Sequence, residues 1–276
     1  MKRTLKAALK GKLSGEEVSL LRRSYDTIGG IAIVEIPNEL SEKEELIGKT
    51  ILEMHKNIKT VAKKAGVHKG IYRAQKVKII AGERSKEALY RENNVVLKLD
   101  VEKVYFSPRL ATERKRIAHL VKKGEIVLVM FSGCGPYPLV ISKNSKAKEV
   151  YGVELNPAAH RYAIQNLKLN KTENVKLIKG NVRKAVPELK KKFDRIAMPL
   201  PKRGESYLDV ALSASKKGAV IHFYDFLTED EIPDLAINKI EKICGKMRKK
   251  FKILNSVKCG QVSPREYRVC VDFKVL

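Results

Sequence analysis

No run of eighteen or more apolar residues occurs in the chain, which is the length needed to cross a bilayer core. The opening residues, Met-Lys-Arg-Thr-Leu-Lys, lack an apolar segment and a small-residue cleavage site, so no secretory signal is expected. Cysteine is scarce. Cys134, Cys244, Cys259 and Cys270 are scattered and none forms a C-x-x-C pair. That excludes a zinc ribbon and argues against a disulfide framework, and a reducing, cytoplasmic setting is expected. His55, His68, His119, His160 and His222 show no metal-ligand spacing, so no metal is assigned. Internal repeats and low-complexity tracts are absent. Acidic residues are in deficit: 31 Asp and Glu stand against 57 Lys and Arg in 276 residues, a formal charge of +26. So basic a surface attracts polyanions, and without membrane features nucleic acid is the implied partner. A thermostable surface rich in Lys and Glu would lie nearer charge balance. What is present is a core: 43% of residues are hydrophobic, which rules out a wholly disordered chain.

Three segments are expected. Residues 1–23 form a basic arm with Lys2, Arg3, Lys6, Lys10, Lys12, Arg22 and Arg23 against Glu16 and Glu17. Residues 24–104 read as a small α+β domain. In it a strand over residues 31–36 is stopped by Pro37, and Ser41-Glu-Lys-Glu44 reads as a capping box for a helix to about Lys64. Two β-like runs, Val77–Ala81 and Val95–Val101, follow. Residues 105–276 alternate strand-like runs (Ile126–Phe131, Val150–Leu155, Val175–Ile178, Arg195–Met198, Ala219–Tyr224) with helix-like stretches such as Pro157–Asn170 and Ser206–Lys216. Such alternation implies a parallel sheet covered on both faces. Thr228-Glu-Asp-Glu231 caps one more helix, and the runs Lys252–Lys258 and Tyr267–Val275, joined by a turn, must pair antiparallel. The pattern resembles the α/β, Rossmann-like fold of class I S-adenosylmethionine-dependent methyltransferases.

The first of these strands runs into Phe131-Ser132-Gly133-Cys134-Gly135-Pro136. Its glycines let the backbone approach a ligand at the carboxyl end of the strand. The next strand ends in Glu154-Leu155, whose acid can accept hydrogen bonds from two ribose hydroxyls or favour the following helix N-terminus. The third ends in Gly180-Asn181-Val182, where an amide can meet an adenine edge. A dinucleotide fingerprint needs a third glycine where Pro138 stands, so a smaller nucleoside such as S-adenosylmethionine suits the site.

Five segments together resemble the archaeal and eukaryotic tRNA guanine-37 N1-methyltransferases. They are Tyr105-Phe-Ser-Pro-Arg-Leu-Ala-Thr-Glu-Arg114, Met130-Phe-Ser-Gly-Cys-Gly-Pro-Tyr137, Glu154-Leu-Asn-Pro157, Met198-Pro-Leu-Pro-Lys202 and Ser263-Pro-Arg-Glu-Tyr267. The resemblance extends from about Ser24 to the C-terminus. That family shares its fold with wybutosine-pathway aminocarboxypropyl transferases, which use the same cofactor. Many members carry a further N-terminal domain that recognises the tRNA corner, for which this chain is expected to be too short. The resemblance implies methyl transfer from S-adenosylmethionine to N1 of guanine 37 in the tRNA anticodon loop; a monomer is expected. It places the general base at Glu113 and a stabilising cation at Arg73. Tyr105 and Phe106 then pack against the cofactor or the guanine, or serve as core aromatics. Arg109 holds a phosphate or the cofactor carboxylate. Val129, Asn181 and Pro199 depart from residues common in relatives. Pro199 has no side-chain acceptor for an exocyclic amine, which favours a ring-nitrogen target. Lys202-Arg203 and Lys246–Lys250 are candidate phosphate contacts. A second activity on a wyosine precursor, aminocarboxypropyl transfer, and RNA binding without catalysis are the rival implications.

Overall fold

The computed structural model describes residues 4–22, 24–66 and 70–276. Lys2, Arg3 and Arg23 of the expected arm, and His68, lie outside them. The chain forms two compact units, Met1–Arg91 with Val96–Pro108, and Glu92–Val95 with Arg109–Leu276.

The first unit begins with two short helices, α1 (Leu5–Leu9) and α2 (Gly15–Leu20). Ser14 caps α2 through a reciprocal box with Glu17. Leu5, Leu9, Leu13 and Leu21 are buried in the core of the unit, so the expected arm is anchored by its leucines. That core is shared with β2 (Ile31–Val34), α3 (Glu44–Met54) and β3 (Thr60–Lys64). The sheet runs β1-β2-β3-β4, with β1 at Asp26–Ile28 and β4 at Val77–Gly82. The helix expected from Ser41 to about Lys64 is therefore divided. Ser41 lies in a 3-10 turn (Asn38–Lys43), α3 ends at Met54, and residues 60–64 are a strand parallel to β2. β-branched Thr60 and Val61 fit the pleat between two pairing strands, and that tertiary demand outweighs the helical reading. Glu44, read as the far end of the capping box, instead takes Lys63 and Lys78, each at 2.8 Å. A hairpin, β5 (Glu87–Glu92) and β6 (Val95–Asp100), turns at Asn93 and Asn94. Both have positive φ, 41° and 62°, as a type I′ turn requires.

The second unit carries a seven-stranded sheet of order β12-β13-β11-β10-β7-β8-β9. The strands are β7 (Ile126–Met130), β8 (Glu149–Glu154), β9 (Val175–Lys179), β10 (Phe193–Met198), β11 (Ser215–Thr228), β12 (Phe251–Ser263) and β13 (Glu266–Val275). β7 to β11 are mutually parallel, and β13 runs antiparallel to both its neighbours. Helices α4 (Ala111–Leu120), α5 (Pro136–Asn144), α6 (Pro157–Asn170), α7 (Val182–Glu188), α8 (Leu208–Ala214) and α9 (Asp234–Lys246) cover the sheet. This is the expected Rossmann-like architecture. Two details differ. The helix expected over 206–216 is only α8, because β11 begins at Ser215. The Thr228 box is formed, but it closes a single 3-10 turn, Glu229–Glu231, ahead of α9.

The two faces of this sheet have opposite characters. Leu128, Met130, Ile196, Met198, Ile221, Phe223, Val271 and Phe273 belong to one apolar core. Because side chains alternate along a strand, the intervening residues point the other way, and among them are Arg195, His222, Tyr224, Cys270 and Asp272. The chain order reverses between β7 and β10, and ligands of open α/β sheets bind beside the carboxyl ends of strands at such a point.

Candidate active site

The turn after β7 is shaped by backbone conformation. Phe131, Gly133 and Gly135 all have positive φ, at 62°, 58° and 89°, a region glycine enters without steric cost. Gly135 is the N-cap of α5 and Pro136 its first residue, where a missing N–H costs nothing. The Cys134 carbonyl accepts the Asn166 side-chain amide of α6 at 3.0 Å, so the turn is pinned from beneath. Ser132 is only 2% exposed. Its Oγ lies against β8, 3.0 Å from where a Cβ on Gly152 would stand.

Glu154 at the end of β8 is tied to that turn. Its Oε2 accepts the Gly133 N–H at 2.7 Å and its Oε1 accepts the Asn156 N–H at 2.6 Å. Burial pushes its pKa up against the opposing pull of these amides. With the Leu155 amide also acting on the carboxylate, acceptor capacity remains for a further donor. Asn156 caps α6 with its side-chain oxygen, accepting from Ala158 at 2.9 Å, so the helix N-terminus is satisfied without Glu154. Leu155 beside it is exposed. At the end of β9, the Asn181 side-chain oxygen caps α7 through the Arg183 N–H at 2.9 Å. That oxygen keeps a second lone pair and the side chain its NH2 donors, and the Val182 backbone amide lies beside them. β10 leaves the sheet through Pro199, around which the Leu200 N–H reaches back to the Met198 carbonyl at 2.7 Å, an inverse γ-turn. Phe131, Ser132, Gly133, Gly135, Glu154, Leu155, Asn181, Val182 and Pro199 thus gather at one end of the sheet. Tyr207 joins them unforeseen, edge-on to Phe131 with ring centroids 5.0 Å apart and with the Arg183 guanidinium 5.2 Å over its ring.

Glu113, in the first turn of α4, is 4% exposed, so it is no surface ion pair. Its Oε2 accepts Arg116 Nε at 2.7 Å, and its Oε1 accepts Arg116 Nη2 at 2.8 Å and the Tyr224 hydroxyl at 2.5 Å. Tyr137 in turn donates to the Tyr224 oxygen at 3.2 Å. Arg116 also donates to Asp272 at 2.6 and 3.3 Å. Asp272 meets His222 Nδ1 at 2.6 Å, and His222 Nε2 meets Arg195 Nη1 at 2.9 Å. Arg195 ends the series on Glu125, at 2.7 and 3.1 Å. A guanidinium only donates, so His222 Nε2 accepts and its Nδ1–H donates to Asp272. That fixes a neutral His222, in accord with the burial that lowers its pKa. It is the satisfied core histidine expected. Burial alone would raise Asp272, but His222 and Arg116 override it and hold the carboxylate well below its usual range. Burial likewise raises Tyr137 and Tyr224, keeping both hydroxyls protonated.

Tyr224 lies one residue beyond the Met198–Phe223 pair, level with Pro199. Glu113 therefore stands at the same end of the sheet as the glycine turn. Arg114, its neighbour, turns away into a buried fork with Glu92. Arg109 is exposed. In the first unit, the Arg73 guanidinium lies 4.6 Å over the Tyr105 ring, and Phe106 packs edge-on to Tyr90 at 5.1 Å. Lys202 and Arg203 are exposed just past β10, whereas Lys249 and Lys250 line a hollow with Lys217 and Lys274 at the opposite end of the sheet. Arg116 was detectable in sequence as the i+3 neighbour of Glu113 on a helix. Tyr224, Asp272 and His222 had no local signal, because only the β11–β13 register brings them together.

A family profile described as "TRM5/TYW2 methyltransferase domain" matches residues 88–254, and one described as "TYW2 N-terminal domain" matches residues 5–85. A tRNA (guanine(37)-N(1))-methyltransferase Trm5b of Pyrococcus abyssi is 42% identical over 255 residues, 92% of this chain and 76% of its own length. The structure described as the complex of aTrm5 and tRNALeu superposes with a TM-score of 0.87 at 32% identity, covering 100% of this chain and 79% of that one. Methanocaldococcus jannaschii TYW2 in complex with AdoMet superposes at 0.69 and 26% identity, over 91% of this chain and 99% of that one.

Proposed function

The chain belongs to the TRM5/TYW2 methyltransferase family, and on that footing we propose that it is a cytoplasmic, monomeric enzyme that methylates N1 of guanine 37 in tRNA with S-adenosylmethionine. The domain division proposed with it is a basic segment, 1–23, an RNA-binding domain, 24–104, and a methyltransferase domain, 105–276. No described helix is long and apolar enough to cross a membrane.

The residues present fit the cofactor. Glu154 retains acceptor capacity for a ribose hydroxyl, and Gly133 adds no side chain to the turn. The Val182 N–H and the Asn181 side chain would meet the adenine edge, and Leu155 and Phe131 would supply apolar contact to the base. Tyr105 and Arg109 hold the methionine end. Bound there, S-adenosylmethionine supplies an electrophilic methyl group on a sulfonium. Neutral guanine N1 carries a proton and has no in-plane lone pair, so a base must act first. Glu113 takes that proton. Arg73 stabilises the charge that builds on O6. Lys202 and Arg203 hold phosphates of the anticodon loop, from whose stack the guanine is withdrawn.

The observation that carries this reading is the buried charge series through Glu113. Glu113 is held at 4% exposure by Arg116 and Tyr224, at the end of the sheet where the glycine turn and Glu154 stand. Tritium transfer from labelled cofactor to tRNA with G37, and to the same tRNA with A37, tests it. Labelling of G37 alone is expected, and equal labelling of both rejects the guanine assignment. The match of residues 5–85 to a TYW2 N-terminal domain favours one second reading, aminocarboxypropyl transfer from the same cofactor. The mass added to the modified nucleoside separates the two.

A further inference from the structure

Glu113 is held more completely than a base needs to be for reach alone. A carboxylate has about four lone-pair positions, and three are filled here: both on Oε1, by Arg116 and Tyr224, and one on Oε2, by Arg116. We infer that Arg116 and Tyr224 are positioning residues for Glu113, and that they reserve the second lone pair of its Oε2 for the substrate proton. The inference rests on the reading of Glu113 as the base.

The two positioning groups are themselves immobilised. Arg116 is forked between Glu113 and Asp272, so rotating toward either carboxylate breaks bonds to the other. Asp272 is fixed by His222, and His222 by Arg195. Tyr224 is 1% exposed and its oxygen accepts from Tyr137, which leaves its single proton to Glu113. The groups facing Glu113 thus come from α4, α5, β11 and β13. None of them is displaced when Oε2 takes up a proton, so the step needs no rearrangement of the protein. In the reaction the N1–H bond breaks as Oε2–H forms. N1 keeps the pair and bonds to the methyl carbon, while the pair of the broken carbon–sulfur bond goes to sulfur.

The test uses the full chain, saturating tRNA and cofactor, and single-turnover rates. Glu113→Gln is expected to slow transfer by about two orders of magnitude or more. Tyr224→Phe, which removes one hydrogen bond to a charged group, is expected to slow it about tenfold. The cofactor KM should stay within about twofold in both variants, because neither residue is placed against the cofactor. Arg116→Lys should retain more activity than Arg116→Met but not full activity, since a point cation cannot reproduce the fork. The double variant Glu113→Gln/Tyr224→Phe should be no slower than Glu113→Gln alone, because Tyr224 acts only through Glu113. Multiplying effects in the double variant overturn the inference. So does a full rate in Tyr224→Phe or Arg116→Lys when Glu113→Gln is slow, with the base reading left standing. A full rate in Glu113→Gln overturns the base reading and the inference together. Should Tyr224→Phe fail to fold, the same cycle run with Arg116→Lys decides the matter.

Discussion

Gly152, in the middle of β8, is the place where one added methyl group should couple stability to cofactor binding. A Cβ there would stand 2.8 Å from Leu177 Cδ2, 3.0 Å from Ser132 Oγ and 3.1 Å from Pro138 Cγ. Leu177 is a flexible side chain on the neighbouring strand and can yield. Ser132 and Pro138 cannot yield cheaply, because they flank the glycine turn that Asn166 pins from below. Inserting a methyl group into such packing costs about 1–3 kcal/mol. At about 2–4 °C per kcal/mol for a domain of this size, Gly152→Ala should lower Tm by about 2–12 °C. The strain should also lift Ser132 and carry with it Gly133, whose N–H is bonded to Glu154. The S-adenosylmethionine Kd measured by calorimetry should then rise about 5–30-fold, equivalent to about 1–2 kcal/mol, while tRNA Kd stays within about twofold. Adding Ser132→Ala should recover part of both losses, because it removes the oxygen the new methyl meets. A Gly152→Ala protein with unchanged Tm and unchanged cofactor affinity would refute the placement of the turn on β8.

Glu154→Ala should raise the cofactor Kd by at least about tenfold, since hydrogen bonds to a charged group contribute about 1.5–3 kcal/mol each. Equilibrium binding of S-adenosylmethionine measures it, and unaltered affinity would remove Glu154 from the ribose. Neutral, buried His222 makes folding acid-sensitive. Its folded pKa is depressed, so below about pH 6.5 the unfolded chain binds a proton that the folded one refuses. The stability is present above that pH and is lost as pH falls, by up to about 1.4 kcal/mol per unit. Asp272 contributes its own loss only below about pH 4, where the unfolded carboxylate protonates. Urea midpoints from pH 8 to 5 should decline below about pH 6.5, and His222→Gln should flatten the decline; an equally steep curve in that variant would reject the assignment. Arg114→Met strands Glu92, at 3% side-chain exposure, and should cost about 3–5 kcal/mol, whereas Arg114→Met with Glu92→Leu should cost far less. Denaturant melts of the single and double variants check the difference.

The readable parts of this chain were those with a short-range signature. Alternating apolar runs located β7 to β11, and the Gly133–Gly135 turn and Glu154 stood at strand ends where the sequence indicated them. Pairing decided the rest. Residues 60–64 follow a helix and contain two lysines, and only the neighbours β2 and β4 make them a strand. Asp26–Ile28 is too short to show a period. The leucines of residues 4–22 are spaced among lysines, so charge masked the anchor. At the site, Asn181 could be placed at the end of β9, but not that its oxygen also caps α7. Ser132 could be placed in the turn, but not that its hydroxyl lies under it.

The depth of Glu113 follows from the same basic composition that marks the surface. In a chain with 57 Lys and Arg against 31 acids, an exposed carboxylate readily finds a cationic partner, as Glu45 finds Lys49 at 2.6 Å. A base on such a surface would have its lone pairs claimed by whichever side chain drifted near, and each tRNA phosphate bound would change that company. Burial on the polar face of the sheet replaces these fluctuating partners with one guanidinium of fixed geometry. Sharing that guanidinium with Asp272 fixes its orientation. The apolar face of the sheet supplies the packing, which frees the opposite face to carry ions. The chemistry and the electrostatic attraction of RNA are thereby separated in space, and neutralising surface lysines should weaken tRNA binding and its salt dependence while leaving the single-turnover rate at saturation unchanged.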